Sequence, residues 1–94
     1  MEEMPQLTQR QITILKAIID EYIATAEPVG SETLDKKYSL GVSPATIRNE
    51  MVRLSDMKFL SQPHTSAGRS PTPAALKYYV EHIMKPKDMS VADE

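Results

Sequence analysis

Apolar residues recur at helical spacing in four blocks of this chain, and each block is preceded by a capping signal. Thr8 and Gln11 fit a capping box, in which the hydroxyl serves one free N–H and the amide reaches back to another. From there Ile12, Leu15, Ile18, Ile19, Tyr22 and Ile23 form one broad apolar stripe, which predicts a first helix. The pattern fades at Ala24-Thr25-Ala26-Glu27, and Pro28 prevents the helix from continuing. Pro28-Val29 reads as a short extended piece. A second, shorter helix starts at Gly30-Ser31, with Ser31 as its cap and with Leu34 and Tyr38 facing the core. Gly41 sits in the following turn, where a positive φ is easiest for glycine. Ser43 then caps a third helix, and Pro44 takes its first position, where a missing N–H costs nothing. Ile47, Met51 and Leu54 make the buried stripe of that helix. Ala45, Asn49 and Val52 lie opposite, with Thr46, Arg48 and Arg53 on the flanks.

Phe59-Leu60-Ser61-Gln62 reads as a strand, and Pro63 to Pro71 as a polar loop bounded by prolines. The chain is expected to return near Arg69–Pro71 as a second strand paired with the first. Thr72 caps a fourth helix with Pro73 at its first position, and Leu76, Tyr79, Val80 and Ile83 supply its apolar face. Lys85-Pro86 ends it. Met51, Met57 and Met84 fall at helical positions and read as core filler. Residues 1–6 are an N-terminal tail, 7–84 the single domain, and 85–94 a disordered tail or the start of a linker. The order of elements predicts a mainly α fold with a small β-hairpin, the winged helix-turn-helix.

The bulk numbers narrow the chemistry. A chain of 94 residues buries only about 60–65% of its unfolded surface, so one modest core is all it can build. Cysteine is absent, which excludes a disulfide framework and a thiolate metal site. His64 and His82 have no carboxylate spaced to complete a metal site with them. His64 beside Thr65 and Ser66 has no orienting carboxylate in sequence either, so no catalytic residue and no cofactor is assigned. No apolar run approaches the roughly 20 residues that span a bilayer, and the Met-Glu-Glu-Met-Pro start is unlike a secretory signal. The chain therefore reads as cytoplasmic, with no membrane partner.

A net charge of −2 argues against a general nucleic-acid binder, but its distribution argues back. Residues 1–27 carry five acids against two bases. Residues 43–80 carry five bases (Arg48, Arg53, Lys58, Arg69 and Lys77) against two acids. Positive charge gathers on the third helix and the hairpin, where phosphate affinity would need it. In a helix-turn-helix the third helix enters the major groove and reads base edges with its first turns. Ser43, Thr46 and Asn49 can donate and accept. Asn bonds adenine bidentately and Arg does so with guanine, while Ala45 is small enough to touch a thymine methyl. Arg53 has two uses open, the groove or a pair with Glu50 or Asp56. In the wing, Thr65, Ser66 and the N–H groups around Gly68 suit phosphates, and Arg69 suits a phosphate or the minor groove. A long charge at a wing tip has little structural purpose. Lys36 and Lys37 either touch the DNA backbone beside the groove or solubilise the second helix.

Residues 41–51, Gly-Val-Ser-Pro-Ala-Thr-Ile-Arg-Asn-Glu-Met, and 62–72, Gln-Pro-His-Thr-Ser-Ala-Gly-Arg-Ser-Pro-Thr, closely resemble the DNA-binding domain of the bacterial heat-inducible transcription repressor family, HrcA. Tyr22-Ile23-Ala24-Thr25 and Glu27-Pro28-Val29-Gly30-Ser31 are similar to that family as well. The likeness covers about residues 7–83. It implies a repressor that binds an inverted-repeat operator upstream of chaperone operons, with a GroEL-type chaperonin keeping the repressor active. Family members are several times longer, so the resemblance also implies homodimerisation through a region absent here. A different class of function, a winged-helix protein–protein interaction module, would use the acidic first helix and the tyrosine-bearing fourth.

Overall fold

The computed structural model describes residues 7–63 and 68–83. Expectations for residues 1–6, for His64, Thr65 and Ser66, and for Met84 and residues 85–94 lie outside that range. Helix α1 spans Gln9–Thr25, α2 Ser31–Lys37, α3 Pro44–Asp56 and α4 Pro73–Tyr78. Between α3 and α4, strands β1 (Leu60–Ser61) and β2 (Ser70–Pro71) pair antiparallel, with Leu60 opposite Pro71 and Ser61 opposite Ser70. Val29 joins this hairpin through an isolated antiparallel bridge to Arg69. The arrangement is mainly helical with a small sheet, a winged helix.

The caps act where local chemistry puts them. The Thr8 hydroxyl accepts from the Gln11 backbone N–H at 3.1 Å, and the Thr8 N–H donates to Gln11 Oε1 at 3.0 Å, which completes the capping box. Ser43 Oγ accepts from the Thr46 N–H at 3.2 Å with Pro44 at the first helical turn. Thr72 Oγ1 accepts from the Ala75 N–H at 3.2 Å and donates to the Lys58 carbonyl at 2.7 Å, so it both starts α4 and closes the hairpin. Gly41 adopts a φ of +77°, the left-handed conformation that a side chain would strain. α1 ends at Thr25, three residues ahead of Pro28, and Ala26 takes a left-handed φ of 59° as its C-cap.

Four expectations need correction. The cap of α2 is Gly30, and Ser31 is already helical and makes no side-chain cap. The bridge to Arg69 holds Val29 extended, Gly30 continues that extension, and the helix can begin only after it. Ile23 is 68% exposed, because the buried face at that end of α1 belongs to Glu21 on the opposite side, where α2 packs. On α4 the buried residues are Ala75 and Tyr78, while Leu76 and Val80 are exposed. Tyr79 and Ile83 do pack against the core, within the single π turn Tyr79–Ile83 that follows α4. The first strand is also shorter than Phe59–Gln62, since only Leu60 and Ser61 pair.

The core is one cluster. Ile14, Leu15, Ile18 and Ile19 of α1 meet Leu34 of α2 and Ile47, Met51 and Leu54 of α3, with Val29, Phe59, Leu60, Ala75 and Tyr78 closing the side toward the hairpin. The rings of Phe59 and Tyr78 lie 5.3 Å apart at a tilt of 46°. Each fully buried large side chain contributes about 1.5–3 kcal/mol, so the stripe of α1 supplies much of the core's stability, with α3 seated on α1 and α2 on α3.

Candidate nucleic-acid interface

The third helix is positioned from behind. Ile47 and Leu54 are fully buried, and Glu50 lies on the same face with 7% exposure. Its Oε1 accepts from Gln11 Nε2 at 3.1 Å, and Arg10 approaches Oε2 at 3.7 Å. Gln11 therefore uses both ends of its amide, the oxygen in the cap of α1 and the nitrogen on α3. A buried carboxylate without such a partner would be costly; with it, the rotation of α3 about its axis is restrained. Glu50 falls in the series 47, 50, 51 and 54, a signal already present in the spacing. Among the described residues Arg53 pairs neither with Glu50, which is engaged with α1, nor with Asp56.

α2 is clamped in the same manner. The buried Glu21 of α1 accepts from Lys37 Nζ at 2.9 Å and from the Tyr38 hydroxyl at 3.2 Å. The hydrogen bond and charge of Glu21 raise the Lys37 pKa above 10.5. Burial, and then the same carboxylate, push the Tyr38 phenol above 10.0. Lys37 is thus paired with α1, though both Lys36 and Lys37 are exposed.

With its rear face fixed, α3 turns Ala45, Arg48, Asn49, Val52 and Arg53 to solvent. Ser43 is exposed and Thr46 half-buried. The Ser43 hydroxyl also donates to Thr46 Oγ1 at 3.1 Å, so these two side chains serve the start of the helix. Arg48 borders a cleft of about 440 Å³ between the start of α2 and the middle of α3, shared with Ser31, Thr33, Met51 and Arg69.

The wing differs from its sequence reading at two residues. Gly68 is buried, and a Cβ there would lie 2.9 Å from the Pro28 carbonyl carbon and 3.0 Å from Val29 backbone atoms. Packing therefore requires glycine at this position. Arg69 is not at a wing tip. Its backbone exchanges hydrogen bonds with Val29 at 2.8 and 2.9 Å, and its Nη1 donates to Ser55 Oγ at 2.5 Å and to the Met51 carbonyl at 3.4 Å. The assumption that this charge has no structural purpose is overturned by those contacts. Thr65 and Ser66 lie in the segment outside the described residues. Among the described residues no group of three His, Cys, Asp or Glu side chains could hold a metal ion, and no helix is long and apolar enough to cross a membrane.

An outward-facing third helix beside a two-stranded wing is the arrangement on which comparison with known proteins can decide. The family described as "Winged helix-turn-helix transcription repressor, HrcA DNA-binding" matches residues 6–84. The chain belongs to this family. It is 55% identical over 89 residues to the heat-inducible transcription repressor HrcA of Pelotomaculum thermopropionicum, covering 95% of this chain and 26% of that protein. It is 59% identical over 80 residues to HrcA of Alkaliphilus metalliredigens, covering 85% and 23%. A solved structure titled a hypothetical protein superposes with a TM-score of 0.79 at 41% identity, over 83% of this chain and 25% of that one. The chain thus spans about a quarter of the length of the HrcA repressors it matches. The match takes in all four helices and the hairpin, so the HrcA family's DNA-binding unit and the fold described above coincide.

Proposed function

We propose that this chain is the sequence-reading DNA-binding domain of a heat-inducible repressor, and that it sets the first two turns of α3 into the major groove of an inverted-repeat operator. The observation that carries the reading is the division of α3. Ile47, Glu50, Met51 and Leu54 are buried, while Ala45, Arg48 and Asn49 are exposed at its leading end. A helix used only for packing would place longer apolar or charged side chains on that outer face. Arg48 and Asn49 take the base-edge roles, Ala45 permits close approach, and Ser43 and Thr46 bring the positive helix end near a phosphate. Arg53 reaches the backbone further along. Thr65 and Ser66 of the wing, with the backbone near Gly68, follow the flanking strand. The partner is double-stranded DNA. Pairing of two copies and dependence on a GroEL-type chaperonin are what the family resemblance implies.

The test is selection of duplexes by this chain from a random pool, followed by titration of the selected duplex and a scrambled one at several salt concentrations. Preference for one sequence is expected, and affinity should fall with a slope near −0.9 per phosphate neutralised. Equal affinity for both duplexes would overturn sequence reading. A chemical-shift titration with the selected duplex should move α3 and the hairpin; movement confined to α1 and α4 would favour a protein-binding module instead.

A further inference from the structure

One cation in this domain is placed with more constraint than a phosphate contact needs. Arg69 is held at the backbone by both hydrogen bonds to Val29, and its neighbour Ser70 pairs with Ser61. Gly68 before it admits no side chain against Pro28 and Val29. The backbone thus stands fixed between two extended segments, and the side chain crosses from the wing to the rear half of α3. There Nη1 reaches the Ser55 hydroxyl and the Met51 carbonyl. Its Nε is buried and, among the described residues, has no hydrogen-bond partner.

That is a poor use of a guanidinium for stability alone. It meets no carboxylate among the described residues, and a half-buried charge with an unpaired donor costs free energy that an apolar side chain of similar length would not. What the long stem provides is a donor that reaches from the strand to the helix, where the single nitrogen Nη1 serves two acceptors. The acceptors lie on the same helix as the reading residues, with Met51 one turn beyond Arg48 and Ser55 one turn further.

We propose that Arg69 is a positioning residue for DNA reading: it braces the base of the wing against α3, so that wing and reading helix meet the duplex as one rigid unit. This rests on the DNA-binding reading above. The brace fixes the angle between two elements that must engage different parts of one duplex, and a loose angle would cost sequence preference before it cost general affinity.

The test compares Ser55→Ala, Arg69→Gln and the double variant. Ser55→Ala removes the acceptor hydroxyl and leaves every charge in place. Without DNA, urea unfolding should show the two substitutions coupled, the double variant being no less stable than Arg69→Gln alone. With DNA, at a temperature where all variants are folded, Ser55→Ala should lose roughly fivefold in affinity for the selected duplex and nothing for a scrambled one. The salt slope of Arg69→Gln should equal that of the unaltered chain. A slope lowered by about one, with both duplexes weakened alike and Ser55→Ala binding normally, would make Arg69 a phosphate contact and overturn the proposal. Additive stabilities would overturn it with no DNA present. If Arg69→Gln does not fold, Ser55→Ala and Ser55→Val carry the comparison. An unaltered chain that prefers no duplex sinks the DNA reading itself, a result the unfolding cycle cannot mimic.

Discussion

Gln11 Nε2 donates to Glu50 Oε1 across 3.1 Å, joining the first turn of α1 to the buried face of α3. These residues are 39 positions apart in the chain, and the bond ties the cap of one helix to the rotation of another. Removing one partner leaves the other polar and buried. Glu50→Ala should therefore destabilise the domain by about 1–3 kcal/mol. Gln11→Glu should cost more than Gln11→Ala, because it sets two carboxylates against each other. Urea unfolding of the three variants measures both effects.

Arg48→Ala should leave stability within about 0.5 kcal/mol, since the side chain is exposed and forms no ion pair among the described residues. In duplex binding the same substitution should cost about 1–3 kcal/mol and relax preference at a single base position. Thermal unfolding set beside binding to a panel of single-base variants separates the two.

Gly68→Ala puts a methyl group within 3.0 Å of the Pro28 and Val29 backbone, where no flexible side chain can give way. Destabilisation of about 1–3 kcal/mol is expected, the usual cost of overpacking. At Gly41, where the space is open but φ is +77°, alanine should also destabilise, through backbone strain. Melting temperatures of the two variants read this, with loss of the Val29–Arg69 bridge by amide exchange expected only for Gly68→Ala.

The clamp of Glu21 on Lys37 and Tyr38 makes stability depend on alkaline pH. Both groups hold their protons more tightly folded than unfolded, so the folded state binds more protons in the window above their ordinary values. Their contribution is complete below pH 10.0 and is lost as pH rises through the raised values. The unfolding free energy should fall as pH climbs past about 10, and Glu21→Gln should flatten the fall. Urea midpoints from neutral to alkaline pH give the comparison.

Ile23→Ser should change stability by no more than about 0.5 kcal/mol, the usual limit for an exposed site. Ile19→Ala, four residues earlier and fully buried, should cost about 2–5 kcal/mol. Denaturant midpoints of the pair check that the outer edge of the stripe on α1 carries no packing.

Local chemistry alone was enough for the capping box at Thr8, the Ser43-Pro44 and Thr72-Pro73 starts, the turn at Gly41 and the outward aspect of Ala45, Arg48 and Asn49. Each depends on groups within one turn of one another, so neighbours in the chain decide the outcome. Packing decided the rest. The inward turn of Glu50, the exposure of Ile23, the shifted face of α4, the lack of room at Gly68 and the reach of Arg69 to Ser55 all arise where two distant segments meet. Their geometry follows from how helices and hairpin settle against a shared core, and residues far apart in the chain, such as Gln11 and Glu50 or Ser55 and Arg69, acquire partners only when that core has formed.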